Sequence, residues 1–238
     1  MDNKTKAIDT PFEKHDAYGS LSMPIYHTAA YEFNTAVDMA DAFTGRVIAP
    51  DYSRVMNPTV MYLEDKVKAL TNASNVVAFS SGMAAISNTM LALSATGKNI
   101  VTSRHMFGNT FSLITQSLKR FGVEARPCDL LNLDEVKSKM DDNTCCIFLE
   151  IITNPQMEVA NLAELAAIAH EHHVPLVADT TVIPFTQFSA KNLGVDIEVV
   201  SSTKYLSGGA TSLGGLAIDY GTTQGFGHRM KNEMLFNF

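Results

Sequence analysis

The feature that most constrains this chain is a regular alternation of short β-rich runs with helical patterns. The β-rich runs lie at 75–80, 99–104, 123–128, 145–151, 174–179, 196–201 and 215–220, and the clearest helical patterns lie between them at 82–95, 132–140 and 162–173. Strands that alternate with helices at this spacing form an open, mainly parallel sheet with helices on both faces. The sequence therefore predicts an α/β fold built on a mainly parallel seven-stranded sheet.

The first part of the chain lacks this alternation. The segments YHTAAYEF and PDYSRVMNPT are typical of extended, turn-rich structure. We therefore expect an N-terminal arm at 1–58 and one large domain at 59–238. A chain of 238 residues with 46% hydrophobic content is long and apolar enough to bury the core of such a domain.

Composition excludes several classes of function. The net charge of −7 is spread along the chain, which argues against a nucleic-acid surface. The opening residues do not resemble a signal peptide, and no apolar run approaches the roughly 20 residues that span a bilayer. The three cysteines, Cys128, Cys145 and Cys146, lack the spacing of metal ligands. We expect a cytoplasmic protein with reduced core cysteines, no metal site and no membrane partner.

Polar residues follow several of the predicted strands. In open α/β sheets, ligands bind just beyond the carboxyl ends of the strands. Ser80, Ser81 and Gly82 connect a strand to a helix, an arrangement that presents backbone N–H groups to an anion. An ordinary helix N-cap is the alternative interpretation of this turn.

Three more strand ends carry polar residues. Glu150 and Asn154 follow one strand, where Asn154 before proline also suits an ordinary turn. Asp179 ends the next strand, as a cap or as the partner of a buried cation. Lys204 follows the strand after that. It either serves a ligand at this edge of the sheet or is an ordinary surface lysine.

Few ligands need an amine, a carboxylate and a phosphate-sized anion site together. Pyridoxal phosphate (PLP) does: its aldehyde condenses with a lysine, its ring nitrogen pairs with a carboxylate and its phosphate binds N–H and hydroxyl donors. Motifs for competing nucleotide cofactors are missing from the sequence, since ATGKN is not a P-loop and no G-x-G-x-x-G follows the first strand.

Five segments in this order, YSRVMNPT, AFSSGMAAI, TNP, ADTT and SSTKYLSGG, resemble the Cys/Met-metabolism family of PLP-dependent enzymes. That family includes cystathionine synthases and lyases, methionine γ-lyase and O-acetylhomoserine sulfhydrylase. The resemblance runs from about Tyr26 to the last residue. It implies that PLP binds covalently to Lys204, that Asp179 pairs with the ring nitrogen, and that Asn154 lies near the ring hydroxyl. The phosphate-binding residues it implies are Ser81, Gly82, Met83, Ser201 and Thr203.

The same resemblance implies that the active site is shared between subunits. Tyr52 and Arg54 match the family residues that reach the phosphate bound by a neighbouring subunit, and Tyr52 joins Lys204 and Phe107 as a catalytic candidate. We therefore expect a homo-oligomer, as a dimer of dimers, that acts on a small amino-acid substrate.

Single residues that depart from the family pattern indicate which subgroup of the family this sequence resembles. Phe107 stands where most members have a tyrosine that stacks on the cofactor, so stacking is kept but the phenolic proton donor is lost. Asn109 stands where methionine γ-lyases have a cysteine, and Gly209 and Thr211 stand where cystathionine enzymes have histidine and aspartate. The resemblance therefore favours O-acetylhomoserine sulfhydrylase, a γ-replacement enzyme of methionine biosynthesis that exchanges acetate for sulfide or methanethiol.

Two alternatives stay open. One is γ-elimination of the methionine γ-lyase or cystathionine synthase and lyase type. The other is an inactive remnant that only folds and oligomerises. Family members are longer and have a C-terminal small domain whose arginine binds the substrate carboxylate. This sequence has no matching segment, so we expect a C-terminally truncated chain.

Overall fold

The computed structural model describes residues 3–12, 18–209 and 211–222. The chain divides into two compact units, Met1–Leu70 and Thr71–Phe238, which are described separately below. The expected boundary between arm and large domain, at residue 58, stays a prediction.

Side-chain hydrogen bonds connect separate segments of the first unit. Asn57 is central, because its Nδ2 lies 2.9 Å from the Tyr26 carbonyl oxygen, 3.1 Å from the Tyr31 hydroxyl and 2.9 Å from Ser53 Oγ. The unit contains helices α1 (Asn3–Ile8) and α2 (Ala36–Phe43) and most of α3 (Pro58–Thr71).

The sequence patterns did not predict these three helices. Among their described residues only Val67 is buried, so they carry little of the apolar periodicity that marks a core helix. The extended, turn-rich interpretation holds for the segments between them, which include a single bridge between Ala30 and Tyr52.

The second unit contains the predicted seven-stranded sheet. Its strands are β1 (Asn75–Phe79), β2 (Asn99–Ser103), β3 (Glu124–Cys128), β4 (Thr144–Glu150), β5 (Leu176–Asp179), β6 (Ile197–Val200) and β7 (Gly215–Asp219). The order across the sheet is β1-β7-β6-β5-β4-β2-β3. Strands β2 to β6 pair in parallel, whereas β7 is antiparallel to β1 and to β6. The predicted fold class is confirmed.

Helices α4 (Gly82–Leu93), α5 (Gly108–Ser112), α6 (Leu133–Lys139) and α7 (Leu162–Glu171) separate the strands. All seven residues of β4 are buried, so both faces of the sheet centre are covered. Cys146 and Phe148 of β4 pack in the cluster that contains Met90 of α4. The cysteines at 128, 145 and 146 are free and buried, as expected.

The register of the parallel strands brings their carboxyl ends to a common edge. Glu150, the last residue of β4, is the Cα partner of Asp179, the last residue of β5. Asp179 in turn pairs with Val199 of β6. No helix of the part of the chain that the structure describes is long and apolar enough to cross a membrane.

Candidate active site

A cavity of about 290 Å³ lies at this edge of the second unit. Its lining includes nine predicted site residues: Ser81, Gly82, Met83, Phe107, Asn154, Asp179, Ser201, Thr203 and Lys204. They come from the ends of four different strands and from the start of α4. The topology therefore brings together residues that are up to 123 positions apart in the sequence (Ser81 to Lys204).

The N-terminus of α4 forms one wall. Ser81 is its N-cap, with extended backbone and a side-chain oxygen that accepts a hydrogen bond from the Ala84 N–H at 3.1 Å. The N-cap interpretation of this turn is therefore confirmed, whereas anion binding stays a prediction. A capped helix of twelve residues still directs the partial positive charge of its N-terminus into the cavity. Gly82 lets this terminus approach β6, because a Cβ there would lie 2.6 Å from the Ser201 Cβ.

Thr203 has backbone partners in this structure. Its hydroxyl donates to the Gly214 carbonyl at 3.2 Å and accepts from the Gly214 N–H at 3.1 Å. A threonine hydroxyl has one hydrogen to donate. The predicted contact of Thr203 with a phosphate therefore requires this hydroxyl to give up its bond to the Gly214 carbonyl.

Lys204 lies in the loop that follows β6. The residue immediately precedes a 3₁₀ turn at Tyr205–Ser207, and its side chain is exposed. It is the only cationic side chain among the described residues that line the cavity. Its amine is therefore accessible to a ligand there.

Asp179 is a carboxylate without a salt bridge among the described residues. Its Oδ1 accepts from the Thr181 N–H at 2.9 Å. Burial raises the pKa of Asp179, while the bonds from Thr181 lower it. A cationic ring nitrogen beside this carboxylate would replace lost hydration and favour the charged form.

Glu150 is a lining residue that the sequence analysis noted at a strand end but did not place in the site. Its Oε1 accepts from the Phe107 N–H at 2.6 Å and its Oε2 from the Asn154 N–H at 3.0 Å. Burial raises the pKa of Glu150, the two N–H groups lower it, and the Asp179 carboxylate raises it further. The signal in the sequence was a lone acidic residue ending the apolar strand CCIFLEI.

Other lining residues had no distinguishing sequence signal. They are Ile86, Thr110, Ile152, Thr181, Val182 and Leu213. Thr181 has a defined role, since its N–H binds Asp179 and its Oγ1 accepts from the Ser201 N–H at 2.9 Å. It thus connects the ends of β5 and β6.

Tyr52 and Arg54, the remaining predicted residues, belong to the first unit. There the Arg54 guanidinium carbon lies 5.3 Å from the centroid of the Tyr52 ring. Their predicted contact with the phosphate of a neighbouring subunit stays a prediction.

The cavity thus has a helix N-terminus, an accessible amine and a half-buried carboxylate. This set of groups fits PLP, because each of its phosphate, aldehyde and ring nitrogen has a chemically matched partner. Among the described residues no cluster of His, Cys, Asp or Glu has the geometry to hold a metal ion.

Comparison with known proteins gives the same assignment. The sequence profile of a family described as Cys/Met metabolism PLP-dependent enzyme matches residues 4–234. The chain is 40% identical over 203 residues to an L-methionine gamma-lyase of Fusobacterium nucleatum, covering 84% of this chain and 51% of that protein. It is 36% identical to an O-acetyl-L-homoserine sulfhydrylase of Corynebacterium glutamicum, covering 84% of this chain and 46% of the relative.

Solved structures agree. A Campylobacter jejuni protein named O-acetylhomoserine (thiol)-lyase superposes with a TM-score of 0.88 at 32% identity, covering 98% of this chain and 56% of that one. Its structure contains a pyridoxyl-lysine phosphate. The chain spans about half the length of the curated relatives that it matches.

Proposed function

The chain belongs to the Cys/Met metabolism PLP-dependent enzyme family, and we propose that it binds PLP at Lys204 for γ-replacement on an activated homoserine. The observation that carries this proposal is that Lys204 lines one cavity with Asp179 and the N-terminus of α4. The preferred reaction is exchange of the acetate of O-acetylhomoserine for sulfide or methanethiol, which yields homocysteine or methionine.

The residues of the proposed cofactor site come from the start of a helix and from the loops and ends of several strands. Gly82 and Met83 at the start of α4, with the hydroxyls of Ser81 and Ser201, would hold the phosphate. Asp179 would pair with the ring nitrogen, and Asn154 would lie near the ring hydroxyl. When bound, PLP supplies an electron sink for negative charge at the substrate Cα.

The residues of the chain would then orient the substrate and move its protons. Lys204 Nζ would take the proton from the substrate Cα and move protons between Cα and Cβ, as a positioned general base and acid. Phe107 would cover one side of the site with a ring that carries no hydroxyl. Lys204 therefore has no phenolic partner at position 107 for these proton transfers.

We propose a homo-oligomer in which Tyr52 and Arg54 complete the site of a neighbouring copy. The first unit supports this proposal because it exposes large apolar side chains, with 84–97% exposure at Ile8, Tyr18, Leu21 and Ile25. Contact with a neighbouring copy would remove apolar side chains such as these from water. A guanidinium that binds two phosphate oxygens at once also suits the role of Arg54.

The first test is the visible absorbance of the purified chain with PLP, followed by borohydride reduction and peptide mapping. We expect a yellow band and PLP fixed on Lys204, with neither in Lys204→Ala. A folded chain that gives no band and carries no label on Lys204 would support the inactive remnant instead.

A second candidate function is γ-elimination from methionine. It has support from the 40% identity to an L-methionine gamma-lyase. Asn109 and Thr211 argue against it, because they stand at family positions where elimination enzymes carry other residues. The two reactions separate by product: O-acetylhomoserine with sulfide would release acetate and homocysteine, whereas methionine would release methanethiol, ammonia and a 2-oxo acid.

A further inference from the structure

Glu150 connects two loops that follow different strands. One carboxylate oxygen accepts from the backbone of Phe107, in the loop after β2, and the other from the backbone of Asn154, in the loop after β4. The side chain is buried, with 6% of its surface exposed. A single group therefore sets the distance between the backbones of two residues that line the cavity.

The requirement at this position is specific to a carboxylate. A buried charge is retained only where it is well compensated, and bonds from N–H groups to an ionised oxygen are among the stronger hydrogen bonds. Both partners are donors, so an acceptor is needed on each side. Glutamine has the same size but directs an NH₂ group at one of the two donors, and one bond is lost.

We propose that Glu150 is a positioning residue that holds Phe107 and Asn154 in the geometry needed to bind PLP. This inference rests on the proposed function, because PLP binding is its readout. Glu150 acts through the two backbones that it binds, so it is not a catalytic group. Its loss would leave the amine of Lys204 and the N-terminus of α4 in place while releasing the two groups at the ring.

The chain offers a matched control on the same two loops. His105 Nδ1 lies 2.9 and 3.0 Å from the two carboxylate oxygens of Glu158. These side chains are 47% and 34% exposed, so the pair contributes little to the geometry of the loops. Glu158→Gln makes the same chemical change as Glu150→Gln outside the cavity.

The experiment compares the wild-type chain with Glu150→Gln and Glu158→Gln. Hydrogen exchange at the amides of residues 107 and 154 is measured by NMR without PLP. The PLP dissociation constant and the visible circular dichroism per bound PLP are measured by titration. For Glu150→Gln we expect faster exchange at one or both amides, about tenfold weaker PLP binding and reduced dichroism, because one hydrogen bond to a charged group is lost. For Glu158→Gln we expect values within about twofold of wild type.

Each other outcome overturns the inference. If Glu150→Gln binds PLP with wild-type affinity and dichroism, the carboxylate does not position the cofactor site, although the proposed function stands. If the wild-type chain binds no PLP, the proposed function fails and this inference fails with it. If Glu150→Gln does not fold, Glu150→Asp takes the same test; failure of both variants to fold makes the role of Glu150 purely structural.

Discussion

A Cβ on residue 82 would lie 2.6 Å from the Cβ of Ser201 and 2.9 Å from its Cα. Gly82 is the first residue of α4, and Ser201 follows the last residue of β6. The missing side chain at Gly82 thus fixes how closely the helix N-terminus approaches the end of the strand. Both residues line the cavity, so this contact also sets the width of the proposed phosphate site.

We predict that Gly82→Ala weakens PLP binding and lowers the free energy of unfolding by about 1–3 kcal/mol, because overpacking moves α4 away from β6. Urea unfolding and PLP titration measure the two effects. Gly108→Ala is the control, since Gly108 also begins a helix and a Cβ there meets nothing within 4 Å. Equal losses in the two variants would contradict the prediction.

The ring of Phe107 gives a second prediction. Phe107 lines the cavity and is 45% exposed, so its side chain is accessible to a ligand there. Phe107→Ala should weaken PLP binding about tenfold through loss of the aromatic contact, whereas Phe107→Tyr should keep the affinity because it keeps the ring. The measurement is PLP titration followed by absorbance. Wild-type affinity in Phe107→Ala would exclude stacking at this position.

Glu198 makes the stability of the second unit depend on pH. The residue is fully buried on β6, and its two oxygens accept from the hydroxyls of Thr180 and Tyr220, each at 2.5 Å. Burial raises the pKa of Glu198; these two bonds lower it and the Asp179 carboxylate raises it. The folded chain therefore holds this proton more tightly than the unfolded chain, and stability falls as pH rises from about 4.3 through the raised pKa.

Glu198→Gln should remove this loss, because an amide stays neutral and both hydroxyls can still find partners. We expect the free energy of unfolding of the variant to increase relative to that of wild type as pH increases from 4 to 8. Urea titrations at several pH values check this. Glu171→Gln, at an exposed helix end, should follow the wild-type curve. Parallel curves for wild type and Glu198→Gln would refute the pH dependence assigned to Glu198.

The sheet could be predicted from sequence because its strands are short β-rich runs and most of them are separated by helical patterns. Five of the seven predicted runs lie in strands that pair in parallel, as alternation with helices requires. The antiparallel direction of β7 could not be predicted, since the residue pattern of a strand does not encode its direction. The helix α3 was missed because Val67 is its only buried residue.

Most of the proposed cofactor site was also accessible from sequence, since a strand-end position and a chemically distinct side chain identify Lys204 and Asp179. The position of Glu150 at a strand end was visible in the sequence, but its proposed role was not, because that role depends on two backbone N–H groups from loops that only the fold brings together. The bond of Thr203 to Gly214 was hidden for the same reason. Composition records which groups are present, whereas hydrogen-bond partners are set by tertiary structure.

The shared site makes a prediction about mixed oligomers. If Arg54 acts on the phosphate of a neighbouring copy, Arg54→Ala and Lys204→Ala each disable every site when present alone. In a mixed dimer, one site combines the Lys204 of one chain with the Arg54 of the other and is intact. Random mixing should therefore restore PLP fixation at Lys204 in about a quarter of all sites.

The measurement is borohydride fixation of PLP after the two variants are mixed in mild denaturant and returned to buffer. Each variant treated alone is the control and should carry little label. Restoration in the mixture requires that Arg54 and Lys204 of one site come from different chains. If the mixture remains oligomeric but carries no more label than the two variants treated alone, Arg54 serves the site of its own chain. The exposed apolar side chains of the first unit would then have a role other than completing a neighbouring site.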